Sequence, residues 1–298
     1  MPVARSARRG PQPPRTVPAA GIVLGHIAYA NCWPVHGPLL VGDVAFPGEV
    51  VSGDPGRLNR LLAAGRVQVA PCSSVEYARH AGRYRVLPGL GIASRGPARS
   101  ILLAGRRSPP ELDGRPVALP TASASSALLL EVWLAGRHGA VPRFGWFDQA
   151  GEDPFVGHDA ALFIGDVALA RRAAAEPDLE WTDLGEAWTA WTGLPFVYAL
   201  WQVHAPSVLE ADVRRAAVAL AESRAAAGRD LDGLAARYPG AFPGGREALA
   251  RYWRELRYDL DADDLAGLRE FYRLAADAGR IARPPALRYL AGAAPVAG

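Results

Sequence analysis

The sequence contains no lysine, so each of its 33 basic side chains is an arginine. A Gly-rich phosphate-binding loop needs a lysine after its glycines, and this absence excludes that class of nucleotide-binding protein. The sequence also lacks a Gly-x-Ser-x-Gly motif and any two histidines spaced four residues apart. These absences argue against a serine hydrolase of the nucleophile-elbow type and against a metal-binding helix.

The chain has few cysteines and no long apolar run. Cys32 and Cys72 each follow a strand-like segment. We expect two small buried thiols in a reducing compartment, with a disulfide or a metal pair as the alternatives. Runs such as Ala127–Leu130 are far shorter than the roughly 20 residues that span a bilayer, so no membrane segment is predicted.

Positive charge is concentrated near the start of the chain, where Arg5, Arg8, Arg9 and Arg15 lie among prolines. Subtracting these four charges from the net charge of +3 leaves about −1, so no basic surface for nucleic acid is expected. Glycine and prolines follow Arg9 where a secretory signal would have its apolar core. We therefore predict that residues 1–20 form a disordered tail and that the protein is cytoplasmic, with no nucleic-acid or membrane partner.

Strand and helix patterns alternate along most of the chain, which predicts an α/β fold with a largely parallel sheet. The chain is expected to leave one lobe near residues 104–110 and to return near residues 198–205, with helices completing the first lobe. This is the two-lobed plan of periplasmic-binding-protein-like folds of type II, with a ligand cleft between the lobes. The predicted division gives lobe I residues 21–105 and 204–298, and lobe II residues 106–203.

A single amide, Asn31, ends the apolar run that begins at Ile22. We interpret the run as a buried strand that Trp33-Pro34 stops before a turn, with Val44–Phe46 as the next strand. A side chain at the carboxyl end of a strand in an open α/β sheet faces the crevice where such folds bind ligands. The alternative is that Asn31 only hydrogen-bonds its own turn.

Two segments share a strand, a cluster of hydroxyls and then a helix. The first holds Ser73 and Ser74, and the second places four hydroxyls within six residues, at Thr121, Ser123, Ser125 and Ser126. One hydroxyl is enough to cap a helix, and the start of a helix also favours a carboxylate or phosphate. Both capping and anion binding therefore remain open for these serines.

A third cluster, Ser94–Ser100, precedes the strand predicted at the first crossing and brings Ser100 toward the cleft. Arg95 and Arg99 are candidates to clamp a carboxylate there, or else solvated loop arginines. The residues alone thus predict a cleft of hydroxyls and one amide for a small carboxylate ligand. They fit a binding protein or an enzyme that needs no strong acid–base group.

Taken in order, several segments resemble the chorismate dehydratases of the futalosine route to menaquinone. The resemblance spans roughly residues 21–204 and rests on the series rather than on any one motif. The matching segments are Gly25–Ile27, Asn31–Pro34, Leu58–Gly65, Ser73–Ala78, Leu87–Ser94, Ser123–Ser126, Ile164–Leu169, Asp183–Gly185, Trp188 and Thr192–Tyr198. The region that often reads Ser-Ala-Thr-Ser in that family is Ser123-Ala124-Ser125-Ser126 here, so a hydroxyl is retained.

The resemblance implies a cofactor-free and metal-free lyase that removes water from chorismate to give 3-[(1-carboxyvinyl)oxy]benzoate. We expect Asn31 to bind the departing hydroxyl or a carboxylate. The serines expected to hold the two carboxylates are Ser73, Ser74, Ser100, Ser123, Ser125 and Ser126. The proton acceptor is either the enolpyruvyl carboxylate of the substrate itself or His26.

Two other functions stay open on the sequence. The 1,4-dihydroxy-6-naphthoate synthase of the same pathway shares the fold and the Thr192–Pro195 stretch, but its N-terminal motif has Pro-Asn-Asp where this chain has Ala30-Asn31-Cys32. A non-catalytic solute-binding protein for a small carboxylate would use the same cleft without chemistry. The sequence does not fix the oligomeric state, and a homodimer is compatible with it.

Overall fold

The computed structural model describes residues 21–174, 176–207 and 210–291. The predicted tail, residues 1–20, lies outside the described residues. The strands are β1 (Ile22–Ile27), β2 (Gly48–Gly53), β3 (Val69–Ser73), β4 (Tyr84–Ser94), β5 (Ile101–Gly105), β6 (Pro116–Pro120), β7 (Arg143–Phe147), β8 (Ala160–Ile164), β9 (Glu180–Asp183), β10 (Phe196–His204) and β11 (Arg257–Asp259). The helices are α1 (Trp33–Leu40), α2 (Pro55–Ala63), α3 (Ser74–His80), α4 (Ala124–His138), α5 (Gly165–Ala173), α6 (Leu184–Thr192), α7 (Glu210–Arg229), α8 (Leu231–Ala236), α9 (Gly245–Glu255) and α10 (Ala262–Asp277).

The strands form two separate sheets. The first sheet has the order β11-β4-β10-β3-β1-β2, and the second has the order β7-β6-β8-β5-β9. Strands β1 and β8 are buried along their whole length, as expected for central strands that are covered on both faces. The predicted α/β class is confirmed.

Both sheets are mixed, so the expectation of a largely parallel sheet is wrong. β10 runs antiparallel to β3 and β4, and β5 runs antiparallel to β8 and β9. These reversals occur at the two strands next to the chain crossings. The apolar pattern of a buried strand is the same in either direction, which is why the sequence did not reveal them.

The sheets also place the crossings earlier than predicted. β5 was assigned to lobe I but belongs to the second sheet, and β10 was assigned to lobe II but belongs to the first. The chain therefore passes from the first sheet to the second between residues 94 and 101 and returns to the first between residues 183 and 196. The predicted boundaries at 105 and 203 correspond to the ends of these strands, where the apolar runs stop.

Two local predictions near β1 are also corrected. Trp33 and Pro34 begin helix α1 instead of ending a strand, because proline is tolerated in the first helical turn, where its missing N–H has no partner to lose. The second strand is Gly48–Gly53, which pairs in parallel with β1, and Val44–Phe46 precede it.

Close packing between β1 and α2 depends on Gly25. A Cβ at Gly25 would lie 2.9 Å from the Cβ of Ala70 and 3.1 Å from Leu58, so only glycine allows this approach. Asp54 caps α2 by accepting a hydrogen bond from the backbone N–H of Arg57 at 2.8 Å. These contacts hold the start of α2 against β1. No helix among the described residues is long and apolar enough to cross a membrane.

Candidate functional site

A cleft lies where the ends of strands from both sheets meet. Its walls include Ile27 at the end of β1 and Ile92 in β4 from the first sheet, and Ile101 and Ile164 from the second. The cavity between the walls has a volume of about 70 Å³. Apolar residues thus form much of the wall, and a few polar groups project into it, as is usual for small-molecule sites.

Asn31 lines this cleft from the middle of a short 3₁₀ turn, Ala30–Cys32, that joins β1 to α1. Its Oδ1 is buried and has no hydrogen-bond partner among the described residues. Buried polar atoms are nearly always paired, so an unpaired one in a cleft indicates a place for a ligand atom. The alternative expectation, that Asn31 hydrogen-bonds its own turn through this oxygen, is not met.

Asn59 on α2 is a second cleft amide, which no sequence motif singled out. Its Oδ1 is likewise buried and without a partner in the described part of the chain. Asn31 and Asn59 are the only two asparagines in the sequence. Asn59 adjoins Leu58 and precedes Leu62, the two buried leucines of α2. An amide bordering the apolar face of a helix was therefore the signal that could have found it.

The two predicted serine segments, although distant in sequence, contact each other through their hydroxyl groups. Ser125 Oγ lies 2.6 Å from Ser73 Oγ and 3.1 Å from Ser74 Oγ, and it donates to the carbonyl of Tyr198 at 2.9 Å. Ser74 Oγ donates to the carbonyl of Val197 at 2.9 Å. Ser74 and Ser125 are buried, and their hydroxyls join α3, α4 and β10. Ser73 lines the cleft, whereas Ser74 and Ser125 support it from behind.

Helix α4 begins at the cleft wall. Ser123 caps it by accepting a hydrogen bond from the N–H of Ser126 at 3.2 Å, and its hydroxyl donates to Ser126 Oγ at 3.0 Å. Both serines line the cleft. Capping is thus observed for Ser123, and the partial positive charge at the start of this 15-residue helix faces the same space.

Ser100 and its neighbouring arginines do not reach the cleft as expected. Ser100 is 2% exposed, and its Oγ accepts a hydrogen bond from the hydroxyl of Tyr252 at 2.9 Å. Arg95 pairs with Asp263 at 2.6 Å, and Arg99 pairs with Glu255 at 2.8 Å. These partners lie in the C-terminal helices α9 and α10. The local sequence around Ser100 does not predict that these helices pack against it.

The cleft-lining residues of the described chain include no arginine, histidine, aspartate or glutamate. Three lining groups can ionise in principle: Tyr29, Cys32 and Tyr198. Burial raises the pKa of each of them, so all three stay protonated near neutral pH. Cys32 and Cys72 are both free and buried, as expected. The described wall thus offers hydrogen bonds and helix-terminus charge in place of a side-chain base.

His26 lies behind the wall, not in it. Trp201 Nε1 donates to His36 Nε2 at 3.0 Å, and the Nδ1 atoms of His36 and His26 are 2.9 Å apart. Because His36 Nε2 accepts, a neutral His36 carries its proton on Nδ1 and donates it to His26. Burial lowers the pKa of His26 to about 4, and the histidine lies outside the cleft lining. This geometry argues against His26 as the proton acceptor.

The fold is similar to that of several solved structures. A structural-genomics protein from Archaeoglobus fulgidus matches with a TM-score of 0.70 at 22% identity, over 87% of this chain and 98% of that one. The periplasmic aliphatic sulphonate binding protein SsuA from Escherichia coli matches with a TM-score of 0.60 at 13% identity, over 88% and 89% of the two chains. The architecture is therefore the periplasmic-binding-protein fold, as predicted.

At the level of sequence, the chorismate dehydratase of Thermus thermophilus is 32% identical over 269 residues, which cover 84% of this chain and 93% of the relative. The family model described as menaquinone biosynthesis matches residues 22–277. That range contains both sheets and every cleft residue named above. The chain therefore belongs to the menaquinone biosynthesis family.

Proposed function

We propose that this protein is a chorismate dehydratase, which eliminates water from chorismate to give 3-[(1-carboxyvinyl)oxy]benzoate. The observation on which the proposal most depends is the unpartnered, buried Oδ1 of Asn31 in a cleft that both sheets form. The Thermus thermophilus relative supplies the activity by name. The expected place of action is the cytoplasm.

The reaction is compatible with a cleft whose lining has no ionised side chain to act as a base. The ring loses one proton and one hydroxyl group, which leave as water, and becomes aromatic, so the product is strongly favoured. Positioning and a fixed polar environment then supply much of the reduction in the barrier. The enolpyruvyl carboxylate of the substrate is the proposed proton acceptor, because the described lining holds no side chain that is charged near neutral pH.

Asn31 is the proposed catalytic residue. An amide offers an acceptor for the proton of the departing hydroxyl and a donor for its oxygen. Asn59, which faces the same space from α2, is proposed to bind the substrate through a second amide contact. This assignment gives each of the two buried amide oxygens a hydrogen-bond partner.

The carboxylates of the substrate are proposed to bind at the serine-lined wall. Ser123, Ser126 and the N-terminus of α4 offer donors to one carboxylate, and Ser73 offers a hydroxyl nearby. Ser74 and Ser125 are assigned a supporting role, because their hydroxyls bond to the protein itself. Ser100 is removed from the contact set, since it does not line the cleft.

The test is incubation of the purified protein with chorismate, without added metal or nucleotide, followed by ultraviolet spectra and product mass. Loss of one water supports the proposal. Binding of chorismate without turnover would instead favour a solute-binding protein. Neither binding nor turnover would favour the later enzyme, 1,4-dihydroxy-6-naphthoate synthase, whose substrate is then tried.

The two asparagines provide matched variants for the roles within the site. For Asn31→Ala we expect kcat to fall by about 100-fold or more, because an interaction made in the transition state is lost. For Asn59→Ala we expect chiefly a higher KM, because a contact shared by the bound substrate and the transition state is lost. Full turnover by Asn31→Ala, with chorismate bound normally, would refute the role of Asn31.

A further inference from the structure

The turn that presents Asn31 is held by two long-range hydrogen bonds at Ala30. The Ala30 N–H donates to the carboxylate of Asp166, at 3.1 Å from Oδ1 and 3.4 Å from Oδ2. The Ala30 carbonyl accepts a hydrogen bond from Trp253 Nε1 at 2.8 Å. Both peptide groups that flank Ala30 are therefore fixed, and one of them is shared with Asn31.

The bond from Asp166 joins the two sheets. Asp166 lies in the first turn of α5, directly after β8 of the second sheet, whereas Ala30 follows β1 of the first sheet. Gly165 has φ +61°, and a Cβ there would lie 2.9 Å from Cδ2 of Tyr29. The start of α5 thus packs closely against the turn. If α5 and the turn moved apart, the hydrogen bond between Asp166 and Ala30 would break.

The Asp166 carboxylate has few partners besides the turn. Within the described residues, the Ala30 N–H is the one hydrogen-bond partner that its carboxylate has. The ionisable groups that it faces are uncharged near neutral pH; they are Tyr29, Cys32, Tyr238 and Tyr252. Asp166 is half-buried, and a carboxylate in that position without a cationic partner is costly to the fold, so its contact with the turn needs an explanation.

We infer that Asp166 is a positioning residue, which holds the Ala30–Cys32 turn so that the Asn31 amide is correctly placed in the cleft. This inference rests on the proposed function, because it assigns Asp166 an effect on dehydration through Asn31. Asp166 does not line the cleft itself. The contact also makes the placement of Asn31 depend on how closely α5 approaches β1.

The first test compares Asp166→Ala with Asp166→Asn. A displacement of about 1 Å at a reacting group costs on the order of 100-fold in rate, so we expect kcat of Asp166→Ala to fall about 10- to 100-fold while KM changes less than about threefold. Asparagine keeps an oxygen that accepts from Ala30 and should retain most of the activity. Equal losses in the two variants, or a change in KM alone, would refute the inference.

Asp113→Ala is the matched control. Asp113 also accepts one backbone N–H from a distant residue, Val141, at 2.9 Å, but it lies in an exposed loop outside the cleft. We expect its kcat and KM to equal those of the unmodified protein. If Asp113→Ala lost as much kcat as Asp166→Ala, the effect would be a general loss of structure.

A double variant tests whether Asp166 acts through Asn31. If it does, Asn31→Ala and Asn31→Ala/Asp166→Ala have the same kcat, because the group being positioned is already gone. A purely structural role for Asp166 predicts that the two losses multiply. Multiplying losses would overturn the inference.

Hydrogen exchange of the Ala30 amide gives a measurement that needs no turnover. We expect exchange in a peptide covering residues 29–32 to be faster in Asp166→Ala and near the unmodified rate in Asp166→Asn. If the unmodified protein does not dehydrate chorismate, the proposed function fails while this measurement still tests the contact. If exchange is unchanged in Asp166→Ala, the inference fails whatever the substrate.

Discussion

The hydrogen-bonded chain of Trp201, His36 and His26 places two imidazoles in the core beside β1. Burial lowers the pKa values of both histidines, His26 to about 4, and His26 lowers that of His36 further. The chain needs both rings neutral, because a protonated His26 Nδ1 could not accept from His36. These histidines therefore contribute to stability in a pH-dependent manner.

We expect the free energy of unfolding to fall as pH falls from about 6.5 toward 4. Unfolded histidine, with a pKa near 6.5, binds a proton in that range, whereas folded His26 does not until pH reaches about 4. The contribution of His26 is at most roughly 3 kcal/mol, present in full above pH 6.5.

Urea unfolding at several pH values measures this dependence. His26→Gln keeps an acceptor for His36. It should reduce the slope of the unfolding free energy against pH by an amount that corresponds to at most about one bound proton. An unchanged slope in His26→Gln would contradict the assignment.

For individual residues, the sequence indicated some cleft positions and misplaced others. Asn31 could be found because a lone amide after a buried strand is conspicuous. The meeting of Ser73 with Ser125 could be expected only from the shared strand–hydroxyl–helix pattern. Ser100 was misplaced because its partner, Tyr252, lies about 150 residues later in the chain. Side-chain direction at such positions is set by tertiary packing, which no local pattern encodes.

Among the helices, α10 shows how charge and capping act together. Asp261 and Asp264 cap the start of α10 reciprocally, each accepting from the other's backbone N–H. Asp264 is fully buried and also binds Arg257 through two hydrogen bonds of 2.8 and 2.9 Å. Because the carboxylate serves both the cap and the arginine, its loss leaves several groups without partners.

We expect Asp264→Ala to reduce the free energy of unfolding by about 2–3 kcal/mol, since the Asp261 N–H loses its acceptor and Arg257 loses two of its hydrogen bonds, keeping Asp261 as a partner. Asp263→Ala is the neighbouring control. Its side chain is 64% exposed and pairs with a partly exposed Arg95, so a change below about 1 kcal/mol is expected. Denaturant titration measures the free energy of unfolding of the two variants. Similar losses in both would contradict the special role of Asp264.

The helices that the sequence predicts to complete the first lobe are present as α7, α8, α9 and α10. β7 was missed because its outward-facing residues are polar or exposed, with Trp146 60% exposed. The short strand β9 and helix α6 were missed too, since their order depends on Asp183, which accepts bonds from Gly185, Ala98 and Arg99. Where an element is fixed by distant partners, its own sequence is a weak guide.

For the whole molecule, a cleft walled by both sheets predicts that a ligand stabilises them together. Asn31→Ala, expected to convert chorismate at least about 100-fold more slowly, allows this to be measured before much of the ligand is consumed. At a chorismate concentration of about 100 times Kd, we expect roughly 2.7 kcal/mol of added stability in one cooperative unfolding transition. Stabilisation confined to a separate, partial transition would place the ligand on one side of the cleft only.

The position of β10 has a consequence for how the chain is made. β10 lies between β3 and β4 in the first sheet, yet about 100 residues separate the end of β4 from its start. A ribosome that adds 5–20 residues per second needs roughly 5–20 seconds to supply them. During that interval the N-terminal strands are synthesised but their central partner is not. The first sheet, although it holds the first strand of the protein, is thus completed after the second sheet has emerged.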